Sequence, residues 1–284
     1  MFDHTSLIKF IETRFADGNP DLIETNITPW RRAVVGDLTS AFDFAQPNGW
    51  HMVELPGTDA YKPQQLVGHP SEVIVPPPHQ MLPEQERGVR PARALPYALH
   101  ARSIVQPADG SVRIDFGNTG RAAAVFQVRS GNSAHDPRTY TVEPNIQVSG
   151  AWSVAGVGAT DYDLSVYGPN GFLRVFKGSI SPAATSLGVQ TIYDDRTNRI
   201  TLTISNLGSH SITFDVLDKY TGQIISEVLD RGASVSRRWS LAPFDGWYDF
   251  MITVAYESGF TYEAAGHLET GKDSISDPAM GGLL

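Results

Sequence analysis

His4 stands in the run Phe2-Asp3-His4-Thr5-Ser6, just ahead of a predicted helix and beside one carboxylate and two hydroxyls. From such a loop position an imidazole can bind a metal ion or protonate a leaving group. The same run can instead cap the helix, with Asp3, Thr5 or Ser6 accepting from free backbone amides and His4 incidental. Elsewhere the chemistry-bearing residues are scattered. His51, His69, His79, His100, His135, His210 and His267 show no paired ligand spacing and read as surface or loop side chains. Asp161 with Asp163, and Asp245 with Asp249, stand at loop ends where carboxylates can gather Ca²⁺, although turn formation explains them more simply. Arg237 and Arg238 beside Trp239 can meet a lipid headgroup or simply face solvent from a strand. The sequence has no nucleophile elbow, no HExxH, and no phosphate-cradling glycine loop between a strand and a helix. Gly156-Val157-Gly158 lacks both the third glycine and the helix, and Asn26-Ile27-Thr28 is a weak glycosylation acceptor ahead of Pro29.

The elements that carry these residues are organised by a repeat. Sliding the sequence on itself sets Asn118 against Asn206, Gly120 against Gly208, Phe126 against Phe214 and Trp152 against Trp239. Tyr162-Asp163 then meets Tyr248-Asp249, and Gly171-Phe172 meets Gly259-Phe260, with the offset staying between 86 and 88 residues. One offset held across so many positions marks two copies of one small domain. Within the first copy Val112, Ile114 and Phe116 alternate with Arg113 and Asp115, the period-two pattern of a half-buried strand. Gly168-Pro169-Asn170-Gly171 is a hairpin turn, and further short strands follow at regular spacing. About seven such strands per copy, with a core Trp and a Tyr at a strand start, predict antiparallel immunoglobulin-like β-sandwiches.

Composition agrees with a mostly β chain: 26 Gly and 19 Pro among 284 residues imply many turns. The formal net charge of −9 argues against nucleic acid as a partner, since phosphates need a basic face. With no cysteine the chain has no thiolate chemistry and no disulfide framework. Nothing approaches the ~20 apolar residues of a membrane helix, and no signal core follows Met1.

Ahead of the repeats, Leu7, Ile8, Ile11 and Phe15 share one face of a helix that ends near Gly18-Asn19-Pro20, and that apolar stripe requires a partner. Residues 27–44 carry Trp30, Val34, Val35, Leu38, Phe42 and Phe44 and are too few for a core of their own. Residues 1–45 therefore read as the closing piece of a larger domain, and the chain as a fragment, with that piece poorly anchored unless it packs on the repeats. Residues 46–96 are a Pro-rich connector whose Arg87, Arg90 and Arg93 form a local basic strap across a domain surface. The repeats occupy 97–181 and 186–270, and the tail 271–284 is expected to fray.

The runs FDHTSLIKFIETRF, TPWRRAVVGDLTSAFDF, QERGVRPARALPYALHA, IDFGNTG, AVFQV, RTYTVE and YDLSVYGPNGFLRVFKG, in this order, resemble the C-terminal portion of bacterial phosphocholine-specific phospholipases C. The resemblance covers nearly the whole chain. It implies a catalytic domain similar to acid phosphatases of the alkaline phosphatase superfamily, followed by a tandem pair of small β domains. The fold class that results is mostly β, with two tandem sandwiches preceded by a short α-containing remnant of that phosphatase-like domain. The family cleaves phosphatidylcholine, and in some members sphingomyelin, to phosphocholine and a diacylglycerol or ceramide. Many members are exported, which implies a periplasmic or secreted location. By order, His4 resembles the final metal-ligand histidine of the wider superfamily. The nucleophile and remaining ligands would lie upstream of Met1, so the chain alone is expected to be inactive, with no cofactor of its own and a divalent metal only in the full-length parent. The implied partners are the catalytic domain of the same protein and phosphocholine lipids or their membrane surface. The alternative is a stand-alone tandem β-sandwich module that binds a lipid surface or a partner protein, or serves adhesion.

Overall fold

A computed structural model describes residues 2–42, 44–45, 87–181, 187–255 and 257–284, so most of the Pro-rich connector lies outside the described residues, as do His51, His69 and His79. The first repeat contributes β2 (Leu99–Gln106), β3 (Ser111–Asn118), β4 (Ala124–Ser130), β5 (Arg138–Val142), β6 (Ile146–Ser153), β7 (Asp161–Tyr167) and β8 (Leu173–Ser179). The second contributes β9 (Leu187–Asp194), β10 (Arg199–Asn206), β11 (Ile212–Asp218), β12 (Gln223–Leu229), β13 (Ser234–Ser240), β14 (Trp247–Val254) and β15 (Glu257–His267). Each repeat packs three strands against four: β2-β3-β6 against β5-β4-β7-β8, and β9-β10-β13 against β12-β11-β14-β15. All of these pairings are antiparallel. This is an immunoglobulin-like division in which the fourth strand has moved to the sheet of the last two.

Period-two alternation decides what each strand buries. In β3, Val112, Ile114, Phe116 and Asn118 point inward, and at the equivalent places in β10 so do Ile200, Leu202, Ile204 and Asn206. Phe126 and Phe214, equivalent by the repeat, are both fully buried on the facing sheets. Trp152 closes the first core beneath the Arg138 guanidinium, which lies 4.9 Å from its ring centroid. Trp239 is half-buried on Phe250 with ring centroids 4.6 Å apart.

The two four-stranded sheets are joined edge to edge by β8 and β15 into one eight-stranded sheet, so the copies share a continuous layer. Val175 pairs with Glu263, its own equivalent in the repeat; Leu173 pairs with Ala265 and Lys177 with Thr261. That register is unchanged on exchanging the copies, and it places a local pseudo-twofold axis through Val175 and Glu263. Opposite this seam the two three-stranded sheets approach along β2 and β9 without hydrogen-bonding to one another.

The N-terminal piece packs on the outer face of the first repeat. Its helices are α1 (His4–Phe15) and α2 (Pro29–Val34). Val34 and Val35 bury Val125 on the outward side of β4, and Trp30 Nε1 donates to Thr141 Oγ1 at 2.8 Å. The orientation of α1 differs from the sequence expectation. Leu7, Ile8, Ile11 and Phe15 are 58, 37, 51 and 63% exposed, whereas Thr5, Ser6 and Glu12 are buried. The polar side turns inward because Glu12 receives both terminal nitrogens of Arg32, at 2.9 and 3.0 Å, together with the Glu24 amide at 2.7 Å. Lys9 Nζ donates to the carbonyls of Arg32, at 2.9 Å, and Val35.

The tail also departs from expectation, because it is tied down rather than frayed. β1 (Pro91–Ala92) pairs with β16 (Ser274–Ile275), Ser276 N donates to Arg90 O at 2.8 Å, and Gly88 N donates to Gly281 O at 2.9 Å. Tyr220 OH donates to Asp277 Oδ1 at 2.7 Å and Trp247 Nε1 to Ile275 O at 2.9 Å. The strap and the tail thus give each other the backbone partners that neither has locally.

Candidate functional site

Asp3 is the N-cap of α1: its Oδ1 accepts from Thr5 N at 2.7 Å, and Ser6 Oγ accepts from Asp3 N at 3.0 Å. This reciprocal arrangement is a capping box built with Asp and Ser. Its hydrogen bond with Thr5 holds the Asp3 carboxyl below the usual range, aided by Arg31, which approaches to 3.3 Å. His4 occupies the first helical position, and its side chain is exposed. Among the described residues no three His, Cys, Asp or Glu side chains gather where they could hold a metal ion. The one carboxylate beside His4 is committed to the cap, so the residues present do not make a metal site and no reaction step runs through one.

One aspartate of each sequence-predicted pair is held by a lysine. Asp163 meets Lys177 at 2.8 Å, and Asp249 meets Lys219 at 3.3 Å, which also binds Glu263 at 2.6 Å. Arg237 crosses from β13 to Glu227 on β12 at 2.5 Å, closing the open edge of the second sandwich.

The structure draws together residues that sequence reasoning left apart. A cavity of about 510 Å³ opens between the repeats, lined among others by His100, Thr119, Gln190, Tyr193, Tyr248 and His267. His100 and His267, which read as surface side chains, are therefore half-buried residues of this cavity. His267 Nδ1 lies 3.0 Å from Glu269 Oε1, and burial lowers the pKa of His100, whose ring sits 5.3 Å from that of Tyr193. His135 is half-buried and His210 exposed.

Two residues of this cavity, Tyr193 and Tyr248, bind Arg174, which is 1% exposed at the pseudo-twofold seam and lines a neighbouring pocket of about 270 Å³. Its Nη1 donates to the carbonyls of Leu173 at 2.6 Å and Ala265 at 2.9 Å, and its Nη2 to the hydroxyls of Tyr193 and, at 3.0 Å, Tyr248. The guanidinium lies 4.4 Å from the Phe172 ring centroid. None of these partners is a carboxylate, so a full positive charge is held by neutral dipoles and aromatic faces. The signal was present in the sequence. Alternation between Phe172 and Phe176 puts Arg174 on the core face of its strand, where a cation requires an explanation.

Among known proteins, the bacterial phospholipase C, C-terminal domain family matches residues 91–179 and 187–267, together more than half of the chain and one match for each repeat. The non-hemolytic phospholipase C of Burkholderia pseudomallei is 44% identical over 98% of this chain and 40% of its own length. The non-hemolytic and hemolytic phospholipases C of Pseudomonas aeruginosa are 37 and 36% identical over 99% of this chain, and over 41 and 42% of their own lengths. The chain thus spans about two fifths of the length of the curated relatives it matches. With both sandwiches matched and similarity running from one end to the other, this chain belongs to the bacterial phospholipase C C-terminal domain family.

Proposed function

We propose that the chain is the C-terminal part of a phospholipase C that hydrolyses phosphatidylcholine, with sphingomyelin as a second candidate substrate, releasing phosphocholine. In this reading residues 1–45 close a phosphatase-like catalytic domain, residues 46–96 connect it to the two sandwiches, and the enzyme acts in the periplasm or outside the cell. Among the described residues no helix is long and apolar enough to cross a membrane. The observation that carries the reading is the outward stripe of α1. Leu7, Ile8, Ile11 and Phe15 lie exposed on a helix whose polar side is turned inward and locked by Glu12 and Arg32. An amphipathic helix fixed with its apolar side outward is shaped for cover by a further body of protein, and the sandwiches hold it in place for that contact.

The chemistry would come from that body. His4, exposed beside the N-cap carboxylate, would join it as a metal ligand or a proton donor, any divalent ion being held there rather than by the sandwiches. The test is hydrolysis of a chromogenic phosphocholine ester by the 284-residue chain and by a form extended upstream, each with and without added divalent metal. Turnover by the extended form alone is the expected result. Turnover by the short chain would refute the division of labour, and inactivity of both would favour a tandem binding module.

A further inference from the structure

Arg174, Tyr193 and Tyr248 carry an inference that does not depend on the catalytic reading. Nη2 of Arg174 has two hydrogens, and it donates one to each phenolic oxygen. The two hydroxyls lie 2.8 Å apart, so one of them donates to the other. Two phenolic hydrogens exist and that contact uses one. The second has no acceptor among the described residues, and both phenols line the 510 Å³ cavity. Burial pushes the Tyr193 phenol well above its ordinary value, so its hydroxyl remains a neutral donor.

Such a hydroxyl is a stronger donor than an ordinary tyrosine, because its oxygen is polarised by a guanidinium that no carboxylate neutralises. The strongest bond to such a hydroxyl is made by an acceptor that is itself charged. Thr119 and Gln190 also line the cavity, where Thr119 Oγ1 already meets His100 Nε2 at 3.1 Å. Glu269, which also faces the cavity, is already held by Leu95 N at 2.9 Å, Asn170 Nδ2 at 2.8 Å and His267 Nδ1 at 3.0 Å. Asp195 lies exposed at the rim.

We infer that the cavity between the repeats is a binding site for a single oxyanion group, as on a phosphate monoester or a carboxylate, hydrogen-bonded by the Tyr193–Tyr248 pair over the buried charge of Arg174. No bond is made or broken in this binding. The oxyanion supplies the acceptor and the negative charge that the site lacks.

The experiment is a titration of the whole chain, with its ten tyrosines labelled at ¹³Cζ, followed by NMR at constant ionic strength. The probes are methyl phosphate, acetate and, as a control, chloride. Tyr193→Phe and Tyr248→Phe assign the two signals. The expected result is a saturable shift confined to those two tyrosines with methyl phosphate or acetate and not with chloride. Each single variant keeps one free hydroxyl and weakens binding, whereas the double variant weakens it at least ten-fold. If the double variant does not fold, the wild-type titration alone decides. A parallel arm with vesicles carrying phosphatidate separates the sources: a response to vesicles but not to methyl phosphate marks a lipid-borne headgroup. No shift with any probe, the same shift with chloride, or undiminished binding in a folded double variant would overturn the proposal.

Discussion

Asn118 and Asn206, 88 positions apart, make the same three hydrogen bonds in the two repeats. Asn118 Nδ2 donates to Ala122 O at 2.8 Å and Val142 O at 3.0 Å, and its Oδ1 accepts from Gly120 N at 3.0 Å. Asn206 donates to His210 O and Leu229 O at the same two distances and accepts from Gly208 N at 2.9 Å. Each side chain is 1% exposed and ties the end of an inner strand to the turn that follows it and to the facing sheet. Replacing either by Ala strands buried carbonyls without a donor, and we expect a loss on the order of 3 kcal/mol, read as a lower denaturant midpoint with unchanged slope. A near-neutral result for both variants would show that the bonds follow from the fold without supporting it.

Asp249 should respond to pH in the opposite sense to most carboxylates. Burial, followed by the charge of Glu263, pushes it up to about 6 against the pull of Lys219, and its Oδ1 is buried without a partner. A folded value above the unfolded one means stability is present at low pH and lost as pH rises through about 6. Asp249→Asn should therefore raise Tm at pH 8 and have little effect at pH 4.5, since Lys219 keeps Glu263. Melting curves at the two pH values decide this, and equal shifts would contradict it.

Glu12 works the other way. Its hydrogen bonds from Arg32 hold it below the ordinary carboxylate range, so its contribution is full above about pH 4.3 and fades as pH falls below that. Glu12→Gln should loosen α1 by roughly 1.5–3 kcal/mol, the worth of a charge-assisted hydrogen bond, and leave the sandwiches intact. Amide exchange should quicken in residues 4–35 while β3 and β10 remain protected.

Charged residues placed on the outward stripe, such as Ile11→Lys with Phe15→Glu, should change the stability of this chain by no more than about 0.5 kcal/mol, because both sites face solvent. In a form extended upstream the same pair should lower activity or yield of folded protein. Equal tolerance in both forms would remove the stripe as a contact surface.

The repeat was legible because inward positions recur. Val112, Ile114 and Phe116 match Ile200, Leu202 and Ile204, and Tyr162 opposite Gly178 matches Tyr248 opposite Gly266 in the strand register. In both copies the phenol lies so close over that glycine that a Cβ there would meet its hydroxyl at 2.6 or 3.1 Å. What alternation cannot supply is the choice of neighbour. The stripe on α1 was readable as apolar, but its direction depends on Glu12 finding Arg32 twenty residues on. The tail looked weak because its partners, Arg90 and Tyr220, are distant in sequence. The cavity was hidden for the same reason: Arg174, Tyr193 and Tyr248 lie in three strands that meet only once β8 and β15 pair.

That pairing has a further consequence. The join at Val175 and Glu263 is isologous: each copy offers the other the same edge, as subunits do in a symmetric dimer. Either copy made alone would expose its last strand as an unpaired edge and carry, in that edge, the template for self-association. The tandem chain is in this sense a dimer made covalent. Its linkage allowed the two halves to diverge at the axis, and the clearest divergence there is Arg174, which pairs with Ala264 while its repeat equivalent is Tyr262.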